Sequence, residues 1–144
     1  MPEAKSESNF HSEMAVAMAA ADVGRIELLS YFGNLSNVSE KDQAGLVSEA
    51  DRASEIKILQ TIRKTFPHHS ILAEESGLSQ GNESVWLIDP LDGTTNYIHQ
   101  FPIFCISIAL QREDDLVVAV VDVPLLNQRF HAVKGGGAFL NGKQ

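Results

Sequence analysis

One stretch, residues 86–96, reads W-L-I-D-P-L-D-G-T-T-N and constrains this chain more than any other. The apolar run at residues 85–88 predicts a short strand. Asp89 places a carboxylate at the strand's end, where a buried charge is costly without a partner. Pro90 has no amide hydrogen and biases Asp89 toward extended geometry, so regular pairing is expected to stop there. Asp92 adds a second carboxylate, and Gly93 permits a tight turn or the close approach of a ligand. Thr94, Thr95 and Asn96 suit the opening of a helix. Two acids folded back beside free amides at a helix start can hold a cation and an anion together, which is what phosphate chemistry needs. A bare D-x-x-D-G also fits a solvated acidic turn.

The surrounding charge sharpens the choice. Between residues 65 and 111 stand five acids, Glu74, Glu75, Glu83, Asp89 and Asp92, and no Lys or Arg. A phosphate cannot approach clustered carboxylates without a neutralising charge, and hard oxygen ligands favour Mg²⁺, Mn²⁺ or Ca²⁺. An EF-hand fits poorly, because its acids alternate before the glycine. His11, His68, His69, His99 and His131 lack zinc-ligand spacing. The net charge of −8 argues against binding nucleic acid or an anionic membrane. Cys105 is the single cysteine, so no internal disulfide forms; this fits a reducing compartment, with the cytoplasm as default. No apolar run reaches membrane-spanning length, and the polar N-terminus does not resemble a secretory signal.

The rest of the chain reads as one domain of residues 10–144 behind a flexible, polar segment of residues 1–9. Residues 10–32 show helical periodicity, with Met14, Met18, Ala21, Leu28 and Phe32 near one face. Residues 33–45 read as a loop with some extended structure around Val38. Ser48 is an N-cap for a second helix, with Asp51 three positions on as in a capping box; Ile56, Leu59, Ile62 and Phe66 continue it, and Pro67 ends it. Asp51 is thereby a first-turn acid favoured by the helix dipole. Residues 70–73 predict a strand ending at Glu74 and Glu75, followed by a polar loop to Ser84. If this strand neighbours the one ending at Asp89, their acids meet. Residues 103–110 and 116–123 form a hairpin, residues 129–133 a further strand, and residues 135–137 and 141–142 turns. Cys105 is read as inert core rather than a nucleophile. The expected class is α/β, an α+β layered sandwich with two N-terminal helices on a largely antiparallel sheet covered on at least one face.

The whole string is more specific than its acids. Residues 89–97, D-P-L-D-G-T-T-N-Y, resemble the signature of the inositol monophosphatase family. Residues 73–77, A-E-E-S-G, look like that family's glutamate motif, and residues 46–51, L-V-S-E-A-D, are similar to its L-V-T-x-x-D element. Residues 134–142 match a further recurring string. Lys41 stands where members often carry a lysine; by itself it reads as a solvated loop residue.

The resemblance implies a Mg²⁺-dependent, lithium-sensitive phosphatase using two or three ions, with Mn²⁺ as a substitute. It implies that Glu74, Asp89 and the Leu91 carbonyl hold one ion, and that Asp89 and Asp92 hold another. Asp51 would polarise the Thr94 hydroxyl, and Glu74 and Thr94 would orient the attacking water. Asp92 and the amides of Gly93 and Thr94 would meet the substrate phosphate. The implied substrate is inositol-1-phosphate or a similar small phosphorylated alcohol, with fructose bisphosphate, histidinol phosphate or an adenosine bisphosphate as rivals. A homodimer is a family expectation. Family members run to about twice this length and carry a W-D-x-A-A-G-like motif, so the chain is expected to represent the N-terminal portion. A fragment, an early-ended product and a portion completed from elsewhere all fit. A half-domain that binds metal or a partner without turnover is the alternative from another class.

Overall fold

The computed structural model of the chain describes residues 10–41 and 45–144, with the backbone alone at residues 40, 41, 45 and 46. The expected flexible segment at residues 1–9 and the Lys41 side chain lie outside the described residues. Helix α1 (His11–Tyr31) is followed by a two-stranded ribbon, β1 (Val38–Lys41) and β2 (Gly45–Ser48), and by α2 (Glu49–Thr65). Then come β3 (Ser70–Ala73), β4 (Gly77–Ser79), β5 (Ser84–Asp92), the short helix α3 (Thr94–Ile98), β6 (Cys105–Arg112) and β7 (Asp115–Val123). A 3₁₀ turn (Pro124–Leu126) leads to β8 (Gln128–Val133) and β9 (Gly137–Leu140). The expected α/β class holds: a seven-stranded sheet runs β4-β3-β5-β6-β7-β8-β9, antiparallel throughout except for the parallel pair β3 and β5.

α1 and α2 pack together on one face of this sheet. Burial alternates along β5 and β6, as period-two geometry requires when only one face is covered. Trp86 and Ile88 with Ile106, Ile108, Leu110, Val118 and Val120 form the covered face and are buried. In α1 the buried seam is Ala17, Ala20, Ala21, Gly24 and Leu28; the expected methionines Met14 and Met18 only flank it. The small residues let the helices approach closely. A Cβ on Gly24 would lie 2.9 Å from Ile58 Cδ1 and 3.0 Å from Ile106 Cδ1.

The strands β2, β4 and β9 are not among those expected, and β5 runs past its expected end. The loop after β3 contains β4, an edge strand paired to β3. β5 does not stop at Asp89: Asp89 pairs Ser107, the register shifts, and Asp92 pairs Cys105. Pro90 falls inside that irregularity, where its missing N–H costs no ladder bond. The opposite face of the sheet carries Leu87, Asp89, Ser107, Ala109, Ala119, Val121 and Phe130, aligned across the strands. No helix among the described residues covers it, and none is long and apolar enough to cross a membrane. A hollow of about 570 Å³ at the far end of this face is lined by Ala119, Val121, Phe130 and Leu140 and holds no candidate site residue.

Candidate active site

β3 and β5 run parallel with Ala73 opposite Ile88, so their C-terminal ends share one edge of the sheet. The Glu74 amide donates to the Ile88 carbonyl at 3.1 Å, which places Glu74 beside Asp89. The Glu74 and Asp89 carboxyl groups share a hydrogen bond. Burial first, then Glu74 and Asp92, push the Asp89 carboxyl up to about 8. Two carboxyls in contact cannot both ionise cheaply, so the pair keeps a proton. Asp92 stands past the register shift, its Oδ2 3.8 Å from Cys105 Sγ. Burial and then Asp92 raise the Cys105 thiol to about 11, which keeps it protonated and agrees with an inert cysteine.

Gly93 follows with φ +90°, and a Cβ there would meet the Ile103 carbonyl at 3.1 Å. That conformation turns the chain from β5 into α3. Tyr97, fully buried, donates from its hydroxyl to the Leu28 carbonyl at 2.6 Å, and its ring packs edge-on against Phe32 and Phe104. Burial raises its pKa, so it stays a neutral donor. α3 spans only five residues, so it brings little helix dipole to a phosphate.

Asp51 reaches this loop from α2. It is fully buried; its Oδ2 accepts from the Ser48 amide at 2.8 Å and the Ser48 hydroxyl at 2.6 Å, and its Oδ1 from the Thr94 hydroxyl at 2.9 Å. The expected capping box is thus present, and Asp51 serves both as cap and as partner of Thr94. Hydrogen bonds to a charged group each contribute about 1.5–3 kcal/mol, enough together to offset a desolvation cost of several kcal/mol. Thr94 Oγ1 also lies 3.2 Å from the Leu91 carbonyl. With one proton to give, it favours the nearer, charged acceptor.

Glu74, Asp89, Leu91, Asp92, Gly93, Thr94 and Asp51 therefore meet at one end of the sheet. Among the described residues, no three His, Cys, Asp or Glu side chains converge closely enough to hold a metal on their own. The donors nonetheless suit a hard cation: they are oxygen atoms, and Asp89 holds a proton because of burial first and the neighbouring acids second, a proton a cation would displace. Sequence reasoning missed Ser54 and Glu55. Ser54 Oγ donates to the Pro90 carbonyl at 2.8 Å, and Glu55 Oε1 accepts from the Ser76 amide and hydroxyl at 3.1 and 2.7 Å. The available signal was their phase: both lie on the stripe that continues through Ile58 and Ile62 into the core.

A family model described as the inositol monophosphatase family matches residues 11–144. The chain is 44% identical over 126 residues to the inositol monophosphatase of Dictyostelium discoideum, covering 85% of this chain and 46% of that protein. It is 40% identical over 139 residues to the fructose-1,6-bisphosphatase/inositol-1-monophosphatase of Aquifex aeolicus, covering 94% and 53%. Among solved structures, the extragenic suppressor protein suhB of Bartonella henselae superposes with a TM-score of 0.88 at 37% identity, covering 92% of this chain and 53% of that one. The chain spans about half the length of the curated relatives it matches.

Proposed function

The chain belongs to the inositol monophosphatase family, and from that premise we propose that it carries the metal-binding portion of a phosphomonoesterase. Its substrate is inositol-1-phosphate or a similar small phosphorylated alcohol. The observation that carries this reading is the Thr94 hydroxyl, held by the buried Asp51 carboxyl group at the same end of the sheet as the Glu74–Asp89 pair. Glu74, Asp89 and the Leu91 carbonyl would hold one Mg²⁺ ion, and Asp89 and Asp92 would help hold a second, with Mn²⁺ able to substitute. A divalent cation held there would neutralise phosphoryl oxygens and acidify the attacking water. The chain's own residues do the rest. Asp51 takes the Thr94 proton into a hydrogen bond, so the Thr94 oxygen presents lone pairs to the water. Glu74 accepts the water's proton as general base. Asp92 and the Gly93 and Thr94 amides border the phosphate, and without a longer helix behind them they contribute geometry more than dipole.

Phosphate release from inositol-1-phosphate, with and without Mg²⁺, tests this, with Asp92→Asn alongside. Turnover that needs both Mg²⁺ and Asp92 is expected; normal Mg²⁺-dependent turnover in Asp92→Asn would sink the assignment. A second reading, a half-domain that binds metal without turnover, draws on the open sheet face that carries Asp89 beside Leu87, Ala109 and Val121. Metal binding without turnover, together with self-association in sedimentation, would favour it.

A further inference from the structure

We propose that Glu55 is a positioning residue: through Ser76 it holds the turn after β3 and limits how far Glu74 shifts against Asp89. The inference rests on the metal-site reading above and concerns a residue that touches neither metal nor substrate. Glu55 lies on α2, four residues after Asp51, and is 3% exposed. Its Oε1 accepts from both the amide and the hydroxyl of Ser76, two residues past Glu74.

The turn joins β3 to β4, with Ala73 paired to Gly77 across it. β4, on its far side, is a three-residue edge strand, and its Leu78 is 54% exposed. On the near side, Glu74 is tied to β5 by its amide. A carboxylate is a costly way to cap a turn, because a neutral acceptor serves the same two donors with less desolvation. What its location gives is a common reference. Asp51, Ser54 and Glu55 fall at i, i+3 and i+4 on one helix face. Asp51 holds Thr94, Ser54 holds the Pro90 carbonyl, and Glu55 holds Ser76. Both acid-bearing loops, after β3 and at the end of β5, are thus referred to a single rigid helix. The β3–β5 pairing sets Glu74 beside Asp89, and the helix adds a second tie that limits how far the two loops shift against each other.

The experiment is Mn²⁺ titration of the 144-residue chain, read by the electron paramagnetic signal of free Mn²⁺, with melting curves beside it. Glu55→Ala should weaken the tightest Mn²⁺ site by about tenfold or more, the range for residues that orient metal ligands. Ser76→Ala should weaken it less, since the Ser76 amide still donates to Glu55. Glu55→Gln, whose amide oxygen accepts both bonds, should recover most of the affinity. The Glu55→Ala/Ser76→Ala pair should bind no worse than Glu55→Ala alone. Phe66→Leu, which loosens the other end of α2, should lower the melting temperature and leave Mn²⁺ affinity unchanged. Wild-type affinity in folded Ser76→Ala and Glu55→Ala overturns the proposal, as does an equal loss in Phe66→Leu. If Glu55→Ala does not fold, Ser76→Ala decides alone. A wild-type chain that binds no Mn²⁺, or an Asp92→Asn chain that binds it normally, overturns the metal site first and this inference with it.

Discussion

The two ends of α2 hold the same sheet by different means. At the start of the helix Asp51, Ser54 and Glu55 make hydrogen bonds to Thr94, Pro90 and Ser76. Just past its end, Phe66 stacks on His69 with ring centroids 4.5 Å apart, and the pair leans on Trp86, whose indole donates to His69 Nδ1 at 3.0 Å. Arg112 lies over the Phe10 ring and bonds Glu13 and Ser84 on that side. Hydrogen bonds act along defined directions and fix atoms to within tenths of an ångström. Ring stacking and apolar burial are less directional but remove far more surface from water. One end of α2 therefore provides position and the other provides stability; the proposed metal site needs the first, and folding needs the second.

The largest expected effect breaks the positional end. Asp51→Asn keeps the shape but gives up an acceptor, and should lower Mg²⁺-dependent turnover by about 10²–10⁴-fold, the range for lost acid–base support. The melting temperature should change far less; a parallel collapse of both would erase the distinction. Next comes the other end. Trp86 is fully buried, and Trp86→Ala should cost about 3–5 kcal/mol in urea unfolding. Mn²⁺ affinity of the fraction still folded should be retained, and a loss there would join the two ends into one unit.

A smaller effect has the opposite sign. In chelator, Asp89 is protonated in the fold up to about pH 8 but only to the usual carboxylate range when unfolded. The folded state then binds more protons, so stability is full below about pH 4 and falls as pH rises through about 8. Asp89→Asn should remove that slope and gain about 1 kcal/mol at pH 8, a modest figure because Asp89 is only half-buried, while abolishing Mn²⁺ binding. A flat wild-type profile in chelator would contradict the crowding of the acids.

The smallest effect concerns His69, whose pKa burial lowers, with Arg112 adding to the shift. A base with a lowered pKa holds fewer protons folded than unfolded, so stability is lost as pH falls below about 6.5. His69→Gln should shrink that acid-side loss by a degree or so of melting temperature, without changing the alkaline slope assigned to Asp89.

Much of this was legible in the chain itself, for identifiable reasons. The capping box at Ser48 and Asp51 is local, because the atoms it joins are three residues apart. The β6–β7 hairpin and the turn at Gly93 are likewise written in short-range pattern. The family string at residues 89–97 carried Asp89, Asp92 and Thr94 with it. Other features were misjudged. β5 ran through Pro90 because the partner strand shifted register around it. The buried face of α1 followed its small residues rather than its methionines, since a close helix crossing rewards the absence of side chain. And Ser54 and Glu55 went unremarked, although their phase pointed inward.

The sequence by itself determined which residues could meet a cation and which way each strand would face, since both follow from residue type and from a period of two or 3.6. Only the tertiary structure decided that Glu74 touches Asp89, that Thr94 donates its hydroxyl hydrogen bond to Asp51, and that one helix face ties to both acid-bearing loops. Those contacts join residues 15 to 43 positions apart. Such separations are closed by the parallel pairing of β3 with β5 and the packing of α2 across them, which no local pattern encodes.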